Sequence, residues 1–299
     1  MTYVGAVRLV PLLAAAAVWP LVEPLLPVLR RVRVPVLEPG SAPLTVLHVS
    51  DLHLLPRHTR RAAWVRRLAR LQPDLVVSTG DHVSSPHSTP LLVDVLRALT
   101  AGGAPGVFVP GNNDSFTPSR PRLTSYLRDG PPRPRRADLD WPGTARRLED
   151  IGWTDLTHRR TVLRVAGRSV VLTGTDDAHL RRARYDLVRG PVEGLALGVT
   201  HTPQRALLRA FADDGHALVL AGHTHGGQLR LPVLGPVVTN CDLERDRARG
   251  LSPLVPGRTG SWLHVSAGLG TSPYLPVRLL CRPEATLLTL VARAPDDVR

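Results

Sequence analysis

Short apolar runs alternate with amphipathic segments along most of this chain. The runs that predict buried strands are 44–49, 75–78, 107–109, 170–173, 195–200, 217–221, 263–267 and 285–291. Apolar residues recur every three or four positions over 59–71, 89–101 and 203–213, which predicts helices there. Strands that alternate with helices are typical of βαβ units and parallel sheet, so the pattern predicts an α/β fold.

The beginning of the chain follows a different pattern. Residues 10–29 are almost wholly apolar, and about twenty such residues are enough to cross a bilayer as a helix. Four prolines and Glu23 interrupt them, and a charge at membrane depth is costly. A cleaved signal peptide fits less well, because prolines stand where small residues would be needed.

We therefore interpret residues 1–40 as an uncleaved membrane or interfacial anchor with its linker, followed by a folded domain over 41–299. A hydrophobic arm packed on that domain is the alternative interpretation. The arginines that follow residue 29 favour a domain on the cytoplasmic side by the positive-inside rule.

Residues 117–141 interrupt the alternation of strands and helices. They are rich in proline and arginine and show no periodicity. Loops of this length are usually functional or disordered. Two hypotheses fit equally well: a loop that covers substrate with Arg120, Arg122 and Arg128, or a solvated insertion.

Charge and cysteine content restrict the function further. The net charge of +13 invites a nucleic-acid partner, but only 4% of the residues are aromatic and few could stack on bases. The arginines are also spread along the whole chain, so we rank nucleic-acid binding last. Cys241 and Cys281 fit neither a disulfide framework nor a paired zinc motif, and we expect them to be buried thiols.

Five of the predicted strands are followed within a few residues by side chains of the types that bind metal ions. They are Asp51 and His53, Asp81 after Gly80, Asn112 after Gly111, His201, and His223 with His225. Ligands of open α/β sheets bind beyond the carboxyl ends of the strands, so we expect these side chains at one edge. Mixed carboxylate, imidazole and amide ligands suit Mn, Fe or Zn. Each motif alone is typical of a turn or a buried polar residue, but the series predicts a metal site.

The order D-x-H, G-D, G-N-N-D, H and G-H-T-H resembles the calcineurin-like metallophosphoesterases over about residues 44–291. The GHTHGGQ sequence and the apolar beginning are most similar to their membrane-associated bacterial branch, which is linked to UDP-diacylglucosamine hydrolase-like activities. The resemblance implies a four-layer α/β/β/α sandwich as the catalytic domain and two divalent metal ions. It implies that one metal is held by Asp51, His53, Asp81 and His225, and the other by Asp81, Asn112, His201 and His223.

One position departs from the family's pattern. Many members have a histidine where Asn113 stands, and a residue matching Asp114 assists it. Asn113 can donate a hydrogen bond but supplies no proton at neutral pH. Either His82 or His179 takes over, or the leaving group needs little protonation, as in a pyrophosphate or an activated diester.

We assign Asn113 and Asp114 as candidate catalytic residues. His82, Asp177 and His179 are candidate substrate contacts, although the run from 176 to 179 could instead cap the next segment.

The resemblance implies hydrolysis of a phosphodiester or pyrophosphate bond, for example that of a lipid or nucleotide conjugate, by hydroxide that the metals activate. The alternatives are a phosphoprotein or phosphomonoester phosphatase and a non-catalytic scaffold that binds metal. We expect a membrane contact through the first segment and infer no obligate protein partner.

Overall fold

Two six-stranded sheets form the frame of the protein, whose computed structural model describes residues 18–118 and 137–293. The first sheet contains β1 (Val28–Leu37), β2 (Leu44–Val49), β3 (Leu75–Ser78), β4 (Gly106–Phe108), β5 (Trp153–Asp155) and β14 (Glu284–Ala292). The second contains β6 (Arg159–Val165), β7 (Arg168–Gly174), β8 (Leu195–Val199), β9 (Leu218–Ala221), β12 (Gly250–Pro253) and β13 (Trp262–Val265). The strand orders are β1-β14-β2-β3-β4-β5 and β12-β13-β9-β8-β7-β6. A small hairpin joins β10 (Arg230–Leu231) to β11 (Gly235–Pro236).

Four α-helices accompany the sheets between residues 59 and 213, besides a short helical segment at residues 18–22. They are α1 (Thr59–Arg67), α2 (Thr89–Thr100), α3 (Trp141–Glu149) and α4 (Arg205–Asp213). Single 3-10 turns lie at Glu23–Leu25, Leu68–Leu71, Pro86–Ser88, Tyr185–Leu187, His225–Gly227 and Arg245–Arg247. The three predicted helices are confirmed, with α1 ending in the 3-10 turn that directly follows it.

The three largest apolar cores hold these elements together. Successive strand side chains point to opposite faces, so β2 buries Leu47 against the helices and Val46 between the two sheets. The first core joins one face of the first sheet to α1, α2 and α3. The second core lies between the sheets, and the third packs Phe211 of α4 on β9 and β13. The predicted α/β fold is confirmed, with parallel and antiparallel pairs in both sheets.

The central strands carry the predicted motifs to their carboxyl ends. In the first sheet, β2, β3 and β4 pair in parallel, and residues 50–53, 79–82 and 109–114 follow them. In the second sheet, β7, β8 and β9 pair in parallel, and residues 200–201 and 222–225 follow β8 and β9. Both sheets therefore contribute side chains to the same region of the molecule.

Several elements lie outside the pattern that the sequence predicts. The strand β1 occupies residues 28–37, which we had assigned to the anchor and its linker, and it pairs in parallel with β14. Its arginines obscure the alternation because β1 is an edge strand with exposed side chains at Arg30, Arg31 and Arg33. The strands β5, β6 and β12 and the helix α3 were also not predicted.

The predicted anchor is only partly visible, because residues 10–17 lie outside the described chain, as do Arg120, Arg122 and Arg128. Residues 18–22 are helical and continue into the turn Glu23–Leu25. Within the residues that the structure describes, no helix has both the length and the apolar character needed to cross a bilayer.

Candidate metal centre

The predicted ligands stand in loops with an unusual backbone. Asp51, His53, Asp81, His223 and His225 have φ angles of 50°, 42°, 54°, 71° and 50°. For a residue other than glycine, such a conformation raises the free energy of the folded state by about 1–3 kcal/mol. It is kept only where the surrounding structure forces the backbone into it. Five cases among seven predicted ligands show that the loops are bent to aim these side chains.

The side chains of Asp51, His53, Asp81 and His225 form a first group. Each offers one ligand atom, and the four atoms lie within 4.8 Å of one another. The Nε2 atom of His53 is 3.2 Å from Nε2 of His225 and 3.3 Å from Oδ2 of Asp81. The Nε2 atom of His225 is 3.6 Å from Oδ1 of Asp51. Every member is buried, so the group forms a compact set of donors with little access to water.

A second group shares Asp81 and adds Asn112, His201 and His223. The Nε2 atom of His201 is 3.5 Å from Oδ1 of Asp81 and 3.1 Å from Oδ1 of Asn112. The Nδ1 atom of His223 is 3.0 Å from the same Asn112 oxygen and 3.3 Å from Nε2 of His201. The two carboxylate oxygens of Asp81 therefore face different groups.

Two glycines allow the loops to approach this closely. A Cβ atom on Gly111 would lie 2.3 Å from Oδ1 of Asp81, and one on Gly222 would lie 2.0 Å from Oγ of Ser50. Real Cβ atoms do not come so near, so any other residue would displace the side chains around Asp51 and Asp81. Gly111 and Gly222 are needed because the absence of a side chain leaves room for Asp81 and Ser50.

The charges of the ligands suit a cation. Burial lowers the pKa of His53 to about 4 and holds the pKa of His223 and of His225 well below the usual value. Burial also raises the pKa of Asp51 to about 6. Burial also favours a higher pKa for Asp81, but the nearby His201 and His53 have the larger effect and lower that pKa well below its usual range. Burial acts to lower the pKa of His201, but Asp81 outweighs it and raises that pKa well above its usual value. Three neutral imidazoles, a fourth that releases its proton when a metal binds, and two buried carboxylates form a donor set that fits a divalent metal ion.

Main-chain carbonyl groups fix the orientation of two imidazoles. The Nδ1 atom of His201 lies 2.6 Å from the carbonyl oxygen of Thr79, and Nε2 of His223 lies 3.0 Å from that of Asn240. A carbonyl oxygen only accepts, so the nitrogen that contacts it carries the proton. The opposite nitrogen is left free to bind a metal, as is usual for histidine ligands.

Asn113 contacts the shared carboxylate rather than open space. Its main-chain N–H donates to Oδ1 of Asp81 over 2.8 Å, and its Nδ2 donates to Oδ2 over 2.7 Å. In this arrangement Asn113 positions Asp81.

Asp114 and His82 form a pair in the interior. Asp114 accepts from the main-chain N–H groups of His82 and Gly111, and its Oδ2 atom lies 2.9 Å from Nδ1 of His82. The other ring nitrogen of His82 is 2.9 Å from Oγ of Ser78, and the ring stacks on Trp141. Both side chains are fully buried, and neither reaches the surface in this arrangement. Their roles at the leaving group and the substrate stay predictions.

Asp177 and His179 differ in their surroundings. Asp177 is buried and accepts from the hydroxyl group of Thr202 and the main-chain N–H of Leu180, which is a capping role. The ring of His179 is partly exposed and lies 4.8 Å from the ring of His223. Of the predicted substrate contacts, His179 alone combines exposure with closeness to the second group.

A chain of hydrogen bonds behind Asp51 was not predicted. Ser50 donates to Oδ2 of Asp51 over 2.5 Å, and Thr79 donates to Ser50 over 2.7 Å. The Thr79 hydroxyl group lies 2.9 Å from Nε2 of His48, whose Nδ1 is 2.9 Å from Nδ1 of His264. Only the position of Ser50 beside Asp51 hints at this chain in the sequence.

Arg278 was also missed, and nothing in its sequence neighbourhood distinguishes it from other arginines. It is fully buried and donates to the carbonyl oxygens of Gly270, Ala267 (2.7 Å), Cys281 (3.0 Å) and His225 (3.4 Å). The guanidinium group thereby ties the His225 loop to the 267–281 loop.

Several known proteins are similar to this chain. A family model described as calcineurin-like phosphoesterase matches residues 44–227. Phosphodiesterase YaeI of Escherichia coli is 28% identical over 259 residues, which cover 84% of this chain and 84% of that protein. A transmembrane protein with metallophosphoesterase domain from Bos taurus is 27% identical over 290 residues, covering 89% of this chain and 57% of that protein. The crystal structure of TT1561 of Thermus thermophilus aligns with a TM-score of 0.43 and 13% identity, over 76% of this chain and 91% of that one.

Proposed function

We propose that this chain, which belongs to the calcineurin-like phosphoesterase family, hydrolyses phosphodiester or pyrophosphate bonds with the help of two divalent metal ions. Family membership and the phosphodiesterase relative make it a metal-dependent phosphoester hydrolase. The observation that carries the proposal is the convergence of Asp51, His53, Asp81 and His225 on one point.

The proposed ligand sets follow the two groups. Asp51, His53, Asp81 and His225 would hold one ion, and Asp81, Asn112, His201 and His223 would hold the other. When bound, such a metal pair supplies positive charge that polarises a phosphoryl oxygen and lowers the pKa of water. The protein's own part is to fix the ligands, with Asn113 holding both oxygens of Asp81. The proposed frame is a four-layer α/β/β/α sandwich. Its layers are the helices α1, α2 and α3, the first sheet, the second sheet, and α4.

The leaving group is proposed to need little protonation. The Nδ2 group of Asn113 already donates to Asp81, and an amide supplies no proton at neutral pH. His179, whose partly exposed ring lies 4.8 Å from the ring of His223, is the proposed substrate contact. A diester or a pyrophosphate, including that of a UDP-diacylglucosamine-like conjugate, suits this site better than an alkyl monoester.

Membrane association through the first segment is part of the proposal. Residues 10–29 are apolar in sequence, and the bovine relative is described as a transmembrane protein. Arginines after residue 29 favour a domain on the cytoplasmic side. The substrate would then be a phosphorylated lipid or a small molecule that is available at this surface.

The test is hydrolysis of bis-p-nitrophenyl phosphate by the full chain with Mn²⁺ added. Asp81→Asn keeps the size of the shared ligand but removes its charge, and we expect the rate to fall by about 1,000-fold. Asp213→Asn is the matched control, because Asp213 is exposed and, among the described residues, forms its ion pair with Arg258 on the surface. Activity that survives Asp81→Asn or complete chelation would refute the proposal, and a clear preference for p-nitrophenyl phosphate would indicate a phosphomonoesterase instead.

A further inference from the structure

Large exposed apolar side chains are distributed unevenly over the protein. Eleven such residues occur in the described part of the chain, and all except Val162 and Leu187 fall within 18–26, within 231–234 or at Leu280. Isolated exposed apolar residues are ordinary, but a contiguous patch marks a surface that contacts a partner or a membrane.

The three segments lie side by side. The main-chain N–H of Arg230 donates to the carbonyl oxygen of Leu279 over 2.9 Å, which joins the β10–β11 hairpin to the stretch around 280. The N–H of Arg278 donates to the carbonyl oxygen of Pro20 over 2.9 Å, and the buried Glu23 carboxylate accepts from the N–H of Leu280 over 2.9 Å. The exposed apolar residues of the three segments therefore belong to one surface, which we call the apolar rim.

The tip of the hairpin shows that folding alone does not account for the rim. The relative exposure of Val233 is 105%, and that of Leu234 is 76%. Val233 also has a φ of 67°, which a β-branched residue rarely adopts. A turn at this place would form more easily with asparagine or glycine, so valine and leucine here work against local stability.

Basic side chains lie at the base of the hairpin. Arg230 donates to the carbonyl oxygen of Gly226 over 2.9 Å, and Nη1 of Arg249 lies 3.8 Å from Sγ of Cys281. Neither has a carboxylate partner among the described residues. Arg282, beside the first segment, is exposed and donates to the carbonyl oxygen of Leu26. Exposed apolar side chains next to arginines without carboxylate partners are typical of surfaces that bind anionic bilayers.

We propose that the apolar rim rests on an anionic lipid bilayer, with the β10–β11 hairpin as a second membrane contact besides the first segment. The described chain begins at Val18 within the rim, and the sequence that leads into it is apolar from residue 10 onward. The hairpin starts five residues after His225, so docking would place the loop that carries His225 close to the headgroup layer. The substrate class, given the proposed phosphodiesterase activity on which this rests, is a phosphodiester presented at a membrane surface.

The test compares the full chain with the double variant Val233→Asp/Leu234→Asp, with Leu187→Asp as the matched control, because Leu187 is 60% exposed and lies outside the rim. Amide hydrogen exchange over residues 229–236 is measured with and without vesicles of phosphatidylglycerol and phosphatidylcholine in equal parts. We expect vesicles to slow exchange there by about tenfold in the wild type and in the control, and to have no effect in the double variant. Vesicles of phosphatidylcholine alone are expected to protect less, because they offer no charge to the arginines.

Hairpin exchange that is unchanged by vesicles would overturn the proposal, even if the first segment binds them. Protection that instead grows with protein concentration without lipid would overturn it in favour of a second copy as the partner. Hydrolysis of soluble bis-p-nitrophenyl phosphate should be equal in all three proteins. Its absence from all three would contradict the proposed function while leaving the exchange result readable.

Discussion

The two groups of the metal centre share Asp81 but differ in charge and depth. The first group has two carboxylates, and its members are between 0% and 5% exposed. The second has only the shared carboxylate, and its Asn112 and the neighbouring His179 are partly exposed. More ligand charge and less solvent favour tighter metal binding. In the proposed two-metal site, the first group would therefore hold its ion more tightly, and the second would lie nearer the substrate.

The largest expected effect comes from removing one ligand of each group. Asp51→Asn takes a charge from the first group, whereas Asn112→Ala takes only a neutral oxygen from the second. We expect both to lower diester hydrolysis by more than about 100-fold. Their metal content should differ: elemental analysis after dialysis should find that Asn112→Ala retains the ion of the first group and that Asp51→Asn does not.

Asp213→Asn again serves as the control for Asp51→Asn and should match the wild type in metal content and rate. Equal metal loss in the Asp51 and Asn112 variants would show that the two groups bind as one unit. The contrast in charge would then have no consequence for affinity.

A smaller effect is expected from the buried guanidinium group that supports only the first group. Arg278→Met keeps much of the side-chain volume but leaves the carbonyl oxygens of Gly270 and Ala267 without a donor. Unsatisfied buried groups cost about 1–3 kcal/mol each, so the midpoint of thermal unfolding should fall by several degrees. Metal content should decrease in the first group, because Arg278 also holds the His225 loop.

Arg258→Met is the matched control, since Arg258 is 56% exposed and makes only a surface ion pair. Such pairs contribute about 0–1 kcal/mol, so its unfolding midpoint should hardly move. If Arg278→Met unfolds at the wild-type temperature and keeps its metal, the hydrogen bonds from Arg278 to the His225 loop contribute nothing to stability or to metal binding.

How far the sequence predicts this molecule depends on how local each signal is. A short apolar run followed by aspartate or histidine is visible in a few residues, so the sequence predicted the central strands and the side chains that converge in the two groups. The strand β1 was missed because its arginines are exposed on a sheet edge, and only pairing with β14 about 250 residues away makes it a strand. The long-range contact exists only in the folded chain.

The supporting residues of the site escaped prediction for a related reason. Arg278 is one of 38 basic residues, and nothing in the sequence indicates that it is buried. The sequence makes Asn113 a candidate catalytic residue, but it does not indicate that the side-chain amide donates to Asp81. Residue type predicted what each side chain could do, and the direction in which it points came only from packing.

The smallest expected effect tests the comparison most sharply, because Thr79 touches both groups through different atoms. Its hydroxyl group donates to Ser50 behind Asp51, and its carbonyl oxygen lies 2.6 Å from Nδ1 of His201. Thr79→Val removes only the hydroxyl group, so metal affinity should fall by about tenfold in the first group and stay unchanged in the second. The control is Thr173→Val, since the buried hydroxyl group of Thr173 has no hydrogen-bond partner in the described chain. Calorimetric titration with Mn²⁺ resolves the two affinities, and a parallel decrease in both would show that the hydroxyl chain supports the whole centre rather than Asp51.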